Sequence, residues 1–182
     1  MTLKTLNINK EWTLFLDRDG VINKKLDNDY VKHSAEFEFI DGVLPALATL
    51  KNLFGTIVVV TNQQCIGKGL ITVDDLDLIH KNMLYEITYL KGRIDKVYFA
   101  PQLASENHEY RKPNIGMALQ AQQDFPNINF EKSIIVGDSI SDMQFGKTAG
   151  MKTVFISDTP QSNPLIDFQF KGLAYFAHTL NR

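Results

Sequence analysis

Short β-branched and aromatic runs alternate along this chain with longer stretches in which apolar residues recur every three or four positions. Thr13–Asp17 reads as a strand. Thr56–Thr61 is a second, apolar through its middle, as expected of a strand covered on both faces. Val43–Phe54 places Val43, Leu44, Leu47, Leu50 and Phe54 at helical spacing, with Pro45 near the start, where a missing N–H matters least. Thr72–Lys91 is the clearest helix. Leu76, Ile79, Met83, Ile87 and Leu90 make one apolar stripe, Thr72 and Asp75 have capping-box spacing, and Gly92 is expected to stop the helix. Asp95–Ala100, Lys132–Gly137 and Thr153–Ile156 are further strands; Ile115–Asp124 and Ile140–Thr148 are further helices. Ser157–Arg182, broken by Pro160 and Pro164, has no clear period, and its aromatic residues are expected to pack against the sheet edge.

Such β-α alternation predicts an α/β fold, a Rossmann-like three-layer sandwich with a central parallel sheet. Residues 1–182 are expected to form a single domain, with 157–182 a C-terminal extension packed on the core. The apolar share is 44% and the charged share 22%, an ordinary globular balance. A net charge of −2 provides no electrostatic footprint for nucleic acid. No apolar run approaches the roughly 20 residues of a membrane span, and Met1–Lys10 lacks the apolar segment of a signal peptide. Cys65, the one cysteine, excludes an internal disulfide and a cysteine-based zinc cluster. A cytoplasmic protein, monomeric, with neither membrane nor nucleic-acid partner, is expected.

Ligands of such sheets sit outside the carboxyl ends of the strands, which directs attention to four places. Asp17 ends the first strand and Asp19 follows two residues on. Two carboxylates in different environments divide labour, one attacking while the other handles a proton. Thr61, Asn62 and Gln63 end the second strand with hydroxyl, amide and backbone groups suited to phosphoryl oxygens. Lys68, between Gly67 and Gly69, is a candidate anion contact. Before the helix at Ile115, Lys112 is placed to neutralise phosphoryl charge and Arg111 to fork onto a second anion, with Pro113 fixing the backbone. Asp138 ends the fourth strand and Asp142 lies one turn into the next helix. Asp17, Asp138 and the Asp19 carbonyl would supply the few oxygen ligands that Mg²⁺ prefers. Each element alone also reads as an ordinary polar turn; together, at successive strand ends, they describe phosphoryl transfer.

These residues resemble the haloacid dehalogenase superfamily of phosphatases. Asp17-Arg18-Asp19-Gly20-Val21-Ile22-Asn23 is similar to its first motif, Thr61-Asn62-Gln63 to its second, Arg111-Lys112-Pro113 to its third, and Gly137-Asp138-Ser139-Ile140-Ser141-Asp142 to its fourth. Tyr30-Val31, Phe39-Ile40-Asp41-Gly42 and Gly67-Lys68-Gly69 add resemblance to the branch of heptose-bisphosphate and histidinol-phosphate phosphatases. The resemblance implies that Asp17 forms an aspartyl-phosphate and that Asp19 protonates the leaving alcohol, then activates water. It also implies that Thr61 and Lys112 hold the phosphoryl group, that Arg111 recognises substrate, and that Asp138 completes a Mg²⁺ site with Asp17 and Asp19.

The chain departs from that branch where many members hold a structural zinc. Here the stretches read Ala100-Pro101-Gln102 and His108-Glu109-Tyr110, leaving only His108 as a ligand, so no zinc is expected. Ser139 stands where many relatives have lysine. No large insertion follows Asp19 or Gly69, so no large cap domain is expected; segment 24–39 is the candidate lid, with Tyr30 and His33 placed to touch substrate. The substrate class is a small phosphorylated metabolite. A sugar phosphate such as a heptose bisphosphate is the first reading and histidinol phosphate the second. A nucleic-acid 3′-phosphatase and a phosphoacceptor signalling domain come after.

Overall fold

The computed structural model describes residues 3–181. Its centre is a six-stranded, wholly parallel sheet in the order β3-β2-β1-β4-β5-β6. The strands are β1 (Thr13–Leu16), β2 (Thr56–Asn62), β3 (Lys96–Ala100), β4 (Ser133–Gly137), β5 (Lys152–Ile156) and β6 (Phe168–Phe170). The helices are α1 (Val43–Leu53), α2 (Val73–Tyr89), α3 (Gly116–Asp124), α4 (Ile140–Ala149) and α5 (Leu173–Leu180). The elements expected from sequence are present, with boundaries displaced by one or two residues.

The inner strands are apolar through their middles because successive side chains enter opposite layers. Leu14, Leu16, Ile57, Val59, Ile134 and Val136 pack with Leu47, Leu50, Met83, Ile87 and Phe176, the layer of α1, α2 and α5. Phe15, Val58, Val60 and Ile135 face the other way, onto Met117, Ala121 and Phe145 of α3 and α4. The α2 capping box forms as its spacing predicts: Thr72 accepts from the Asp75 N–H and Asp75 accepts from the Thr72 N–H. The helix stop differs from expectation. Lys91, not Gly92, takes the left-handed conformation (φ 67°), and the Gly92 N–H closes back on the Ile87 carbonyl at 2.7 Å.

The segment after β5 is more than a covering of the edge. Phe168–Phe170 is itself the edge strand, pairing Val154 with Phe168 and Ile156 with Phe170. Asp167 aligns it by accepting from the Thr153 N–H at 2.9 Å and pairing with Lys147 at 2.5 Å. α5 then lies beside α1, with the Phe176 ring edge-on to Phe170 at 5.7 Å.

The chain builds outward from β1 to β2 and β3 on one side, then to β4, β5 and β6 on the other. The topological switch point therefore falls between β1 and β4, where a ligand crevice is expected. Between β1 and α1 the chain carries one short 3₁₀ turn, Ser34–Glu36, and between β2 and α2 it makes a tight loop. No helix among the described residues is long and apolar enough to cross a membrane.

Candidate active site

A cavity of about 260 Å³ opens at the switch point. Asp17 lies at its base, one residue past β1, and its N–H donates to the Val136 carbonyl at 2.9 Å, extending the β1–β4 ladder. The carboxylate is therefore set by the sheet. It is 8% exposed, and its Oδ1 lies 2.9 Å from Lys112 Nζ.

Lys112 is buried. Its ammonium also pairs with Asp142 Oδ1 at 2.5 Å and donates to the Val60 carbonyl at 2.7 Å, so two carboxylates and a carbonyl surround it. The Asn62 amide grips the Lys112 peptide from both sides, donating to its carbonyl and accepting from its N–H, each at 3.0 Å. Asn62 thus lines the cavity with its amide already engaged. Asp142 is fully buried. Its Oδ2 accepts from the Ser139 N–H and hydroxyl in the capping box of α4, while its Oδ1 faces Lys112.

The carboxylate oxygens of Asp17, Asp138 and Asp142 converge within 4.8 Å of one another. Asp138 Oδ2 carries the ammonium of Lys25 at 2.8 Å. Gly20 (φ 87°) makes this packing possible, since a Cβ there would sit 2.4 Å from Asp138 Oδ2. Three carboxylates thus face two ammonium groups in a confined space. The Asp17 pKa is raised to about 7: burial pushes it up most, Lys112 pulls it down, and Asp142, Asp138 and Asp19 push it up. Asp138 is raised as well, chiefly by burial. Lys112 is shifted upward: burial opposes its charge, but Asp142 and Asp17 outweigh that.

Asp19 sits in a contrasting setting. Its Oδ1 accepts from Arg18 and from the Asn23 amide, both at 2.9 Å, and its Oδ2 accepts from Gln63 at 2.8 Å. Burial alone would raise its pKa, but the Arg18 charge and these three donors hold it below the ordinary value. Its carboxylate is not part of the acidic trio and is engaged by these donors, so any part it plays at a cation falls to its main-chain carbonyl. Gln63 is itself buried, outside the cavity lining, and also donates to Thr61 Oγ1 at 2.9 Å.

Arg111 reaches the cavity and donates to the Gln102 carbonyl at 3.1 Å. Lys68 stands behind Tyr30, donating to its hydroxyl at 2.9 Å; Tyr30 lines the cavity and Lys68 does not. His33 is on the outside, paired with Glu36 at 3.1 Å. His108 accepts from the Tyr110 N–H at 3.1 Å, and among the described residues no metal-ligating cluster includes it. The segment 24–39 walls one side through Lys25, Leu26, Asp29, Tyr30 and Val31, tied to α2 by Asn82 donating to Ser34 Oγ at 2.7 Å.

Two participants were not evident from sequence. Lys25 meets Asp138 from 113 residues away, through the path of a loop. His80 stands on the buried stripe of α2, where the spacing Leu76, His80, Met83, Ile87 was the one available signal.

Comparison with known proteins places these features in context. Residues 13–168 match the family model described as polynucleotide kinase 3 phosphatase. D-glycero-alpha-D-manno-heptose-1,7-bisphosphate 7-phosphatase of Campylobacter jejuni is 36% identical over 164 residues, covering 90% of this chain and 92% of that one. D-glycero-beta-D-manno-heptose-1,7-bisphosphate 7-phosphatase of Yersinia pestis is 38% identical over 147 residues, covering 77% of each. Among solved structures, D,D-heptose 1,7-bisphosphate phosphatase from B. bronchiseptica, complexed with magnesium and phosphate, superposes with a TM-score of 0.82 at 26% identity, over 93% of this chain and 98% of that one.

Proposed function

Because this chain belongs to the heptose-bisphosphate phosphatase family of the haloacid dehalogenase superfamily, we propose that it hydrolyses the 7-phosphate of D-glycero-D-manno-heptose 1,7-bisphosphate with Asp17 as nucleophile. The observation that carries the proposal is the convergence of Asp17, Asp138 and Lys112 at the base of one cavity. Relatives named for either anomer share the chemistry at C7, so the reading commits to the 7-phosphate.

An Asp17 Oδ atom attacks phosphorus. The new O–P bond forms as the bond from phosphorus to the sugar 7-oxygen breaks, and Asp19, which takes up a proton when the anionic phosphate beside it raises its pKa, delivers that proton to the oxygen. Water then attacks the aspartyl-phosphate, Asp19 takes its proton, and inorganic phosphate leaves as the Asp17 carboxylate is regenerated. Lys112 sets the charge and position of Asp17, and the Thr61 hydroxyl donates to a phosphoryl oxygen. Arg111, with Lys25 freed from Asp138, faces the anionic remainder of the substrate.

The donor set fits Mg²⁺. It is made of hard oxygens, and Asp138 already holds a cationic group, Lys25, in place. Asp17 and Asp138, with the Asp19 carbonyl, would hold the ion, while Asp142, spent on Lys112 and the α4 cap, braces the lysine. When bound, Mg²⁺ neutralises charge on nucleophile and phosphate, keeping Asp17 ionised at neutral pH. The net charge of −2 disfavours a nucleic-acid substrate.

Phosphate release tests the proposal. The wild type with Mg²⁺ should turn over the heptose bisphosphate faster than histidinol phosphate or a 3′-phosphorylated oligonucleotide. Asp17→Asn should lose on the order of 10⁴-fold or more in kcat while staying folded. Retained turnover in that variant would refute the nucleophile, and a faster oligonucleotide reaction would refute the substrate.

A further inference from the structure

We propose that His80 is a positioning residue for proton transfer, holding Asp19 in place through the buried guanidinium of Arg18. The inference rests on the reading of Asp19 as acid and base given above. His80 lies on α2, 6% exposed and outside the cavity lining, with its Nε2 3.2 Å from Arg18 NH1. A guanidinium can only donate, so Nε2 accepts and the ring proton sits on Nδ1. Arg18 is 1% exposed. Among the described residues its carboxylate partner is Asp19, reached by NH2 at 2.9 Å, and the Phe37 ring covers it at 5.9 Å.

The planar fork is thus fixed at two ends. NH1 is held by His80, and this aims NH2 at Asp19 Oδ1. Without an acceptor at position 80, one end of a buried cation is left unsatisfied, and the fork turns toward other acceptors. Asp19 then keeps only the Asn23 and Gln63 amides. Burial, then the Arg18 charge, hold the His80 pKa down at about 3, so the ring remains the neutral acceptor this geometry needs.

The test compares an alkyl with an aryl phosphate ester. Because kcat/KM covers the steps through departure of the leaving group, it reports proton delivery: a sugar alkoxide needs a proton, whereas p-nitrophenolate leaves without one. With Mg²⁺ present, Asp19→Asn should lose about 10²–10⁴-fold on the heptose bisphosphate and far less on p-nitrophenyl phosphate. His80→Leu should lose on the order of 10-fold or more on the sugar ester and under about threefold on the aryl ester. His80→Gln, whose amide oxygen accepts from Arg18, should recover most of the difference. Equal losses on both esters in His80→Leu, or equal losses in the Leu and Gln variants, would overturn the role of His80, while a selective loss in Asp19→Asn would leave Asp19 as acid. An unselective loss in Asp19→Asn would overturn both. Should His80→Leu not fold, ¹⁵N NMR of the wild type decides: Nε2 should stay unprotonated from about pH 5 to 8, and a ring titrating near its ordinary value would overturn the proposal.

Discussion

Asp17 and Asp19 are two residues apart, yet the two sides of the site treat them in opposite ways. Asp17 stands among other carboxylates, relieved by Lys112, and its proton is held more tightly than usual. Asp19 stands among amide and guanidinium donors, and its proton is held more loosely. The strand direction explains how neighbours can differ so much. Asp17 continues β1 and faces β4 and the Lys112 ammonium, whereas Asp19 has entered the turn that Arg18 closes by accepting from the N–H groups of Ile22 and Asn23 at 2.8 and 3.1 Å. Charge-poor acid and charge-rich acid are thus made from one short stretch of chain. What separates them is which elements supply the partners.

The largest test of this contrast removes the cation that relieves one side. Lys112→Met leaves Asp17 and Asp142 buried without their partner. It should destabilise the fold by about 3–5 kcal/mol, read from urea denaturation, and added Mg²⁺ should restore part of the loss. A variant as stable as the wild type would mean that the acidic side is not under strain.

Acid titration of stability addresses both sides at once. Asp17, with a folded pKa raised to about 7, binds a proton in the folded state before the unfolded chain does, so it adds stability as pH falls from 7 toward 4. His80 acts with the opposite sign. Its unfolded ring takes a proton below its ordinary value of 6.5, and the folded ring resists until about 3, so stability is lost as pH falls through that window. Asp19, with its lowered folded pKa, adds stability above the ordinary carboxylate value and surrenders it at still lower pH. In EDTA the Asp17 effect, joined by that of Asp138, opposes the His80 effect, and the melting temperature should fall less between pH 7 and 4 than it does with metal bound. Saturating Mg²⁺ removes the Asp17 contribution, and the same acidification should then lower the melting temperature steeply. Parallel curves with and without metal would break the contrast.

The smallest effect comes from Lys25, more than half exposed and paired with Asp138. Lys25→Ala should alter stability by less than about 1 kcal/mol. It should nevertheless tighten Mg²⁺ binding severalfold in calorimetry, because the ion no longer displaces an ammonium group. Weaker binding would show that Lys25 assists the cation.

Much of this was legible in the sequence, and the reasons are physical. The apolar runs of β1, β2 and β4 could be seen because a strand covered on both faces needs few polar residues, and Asp17, Thr61 and Asp138 were conspicuous because they end those runs at the carboxyl side. The helix caps followed from local chemistry, as at Thr72 and Asp75. What escaped depends on distant chain. β6 is three residues long and is aligned by Asp167 reaching Thr153, which no local period encodes. Asn62 and Gln63 have the chemistry of ligand-binding amides, but their partners turned out to be the Lys112 peptide and Asp19. His80 was passed over beside the apolar stripe of α2, because its partner, Arg18, lies 62 residues away.

The grip of Asn62 on the Lys112 peptide has a wider consequence. It rivets the key ammonium to the tip of a central strand, so the excursion from β3 to α3 is relieved of holding it. Changes in the length and composition of that excursion are then expected to leave the charge beside Asp17 where it is. Variation in what enters the cavity and constancy in what happens at phosphorus are thereby assigned to separate pieces of chain.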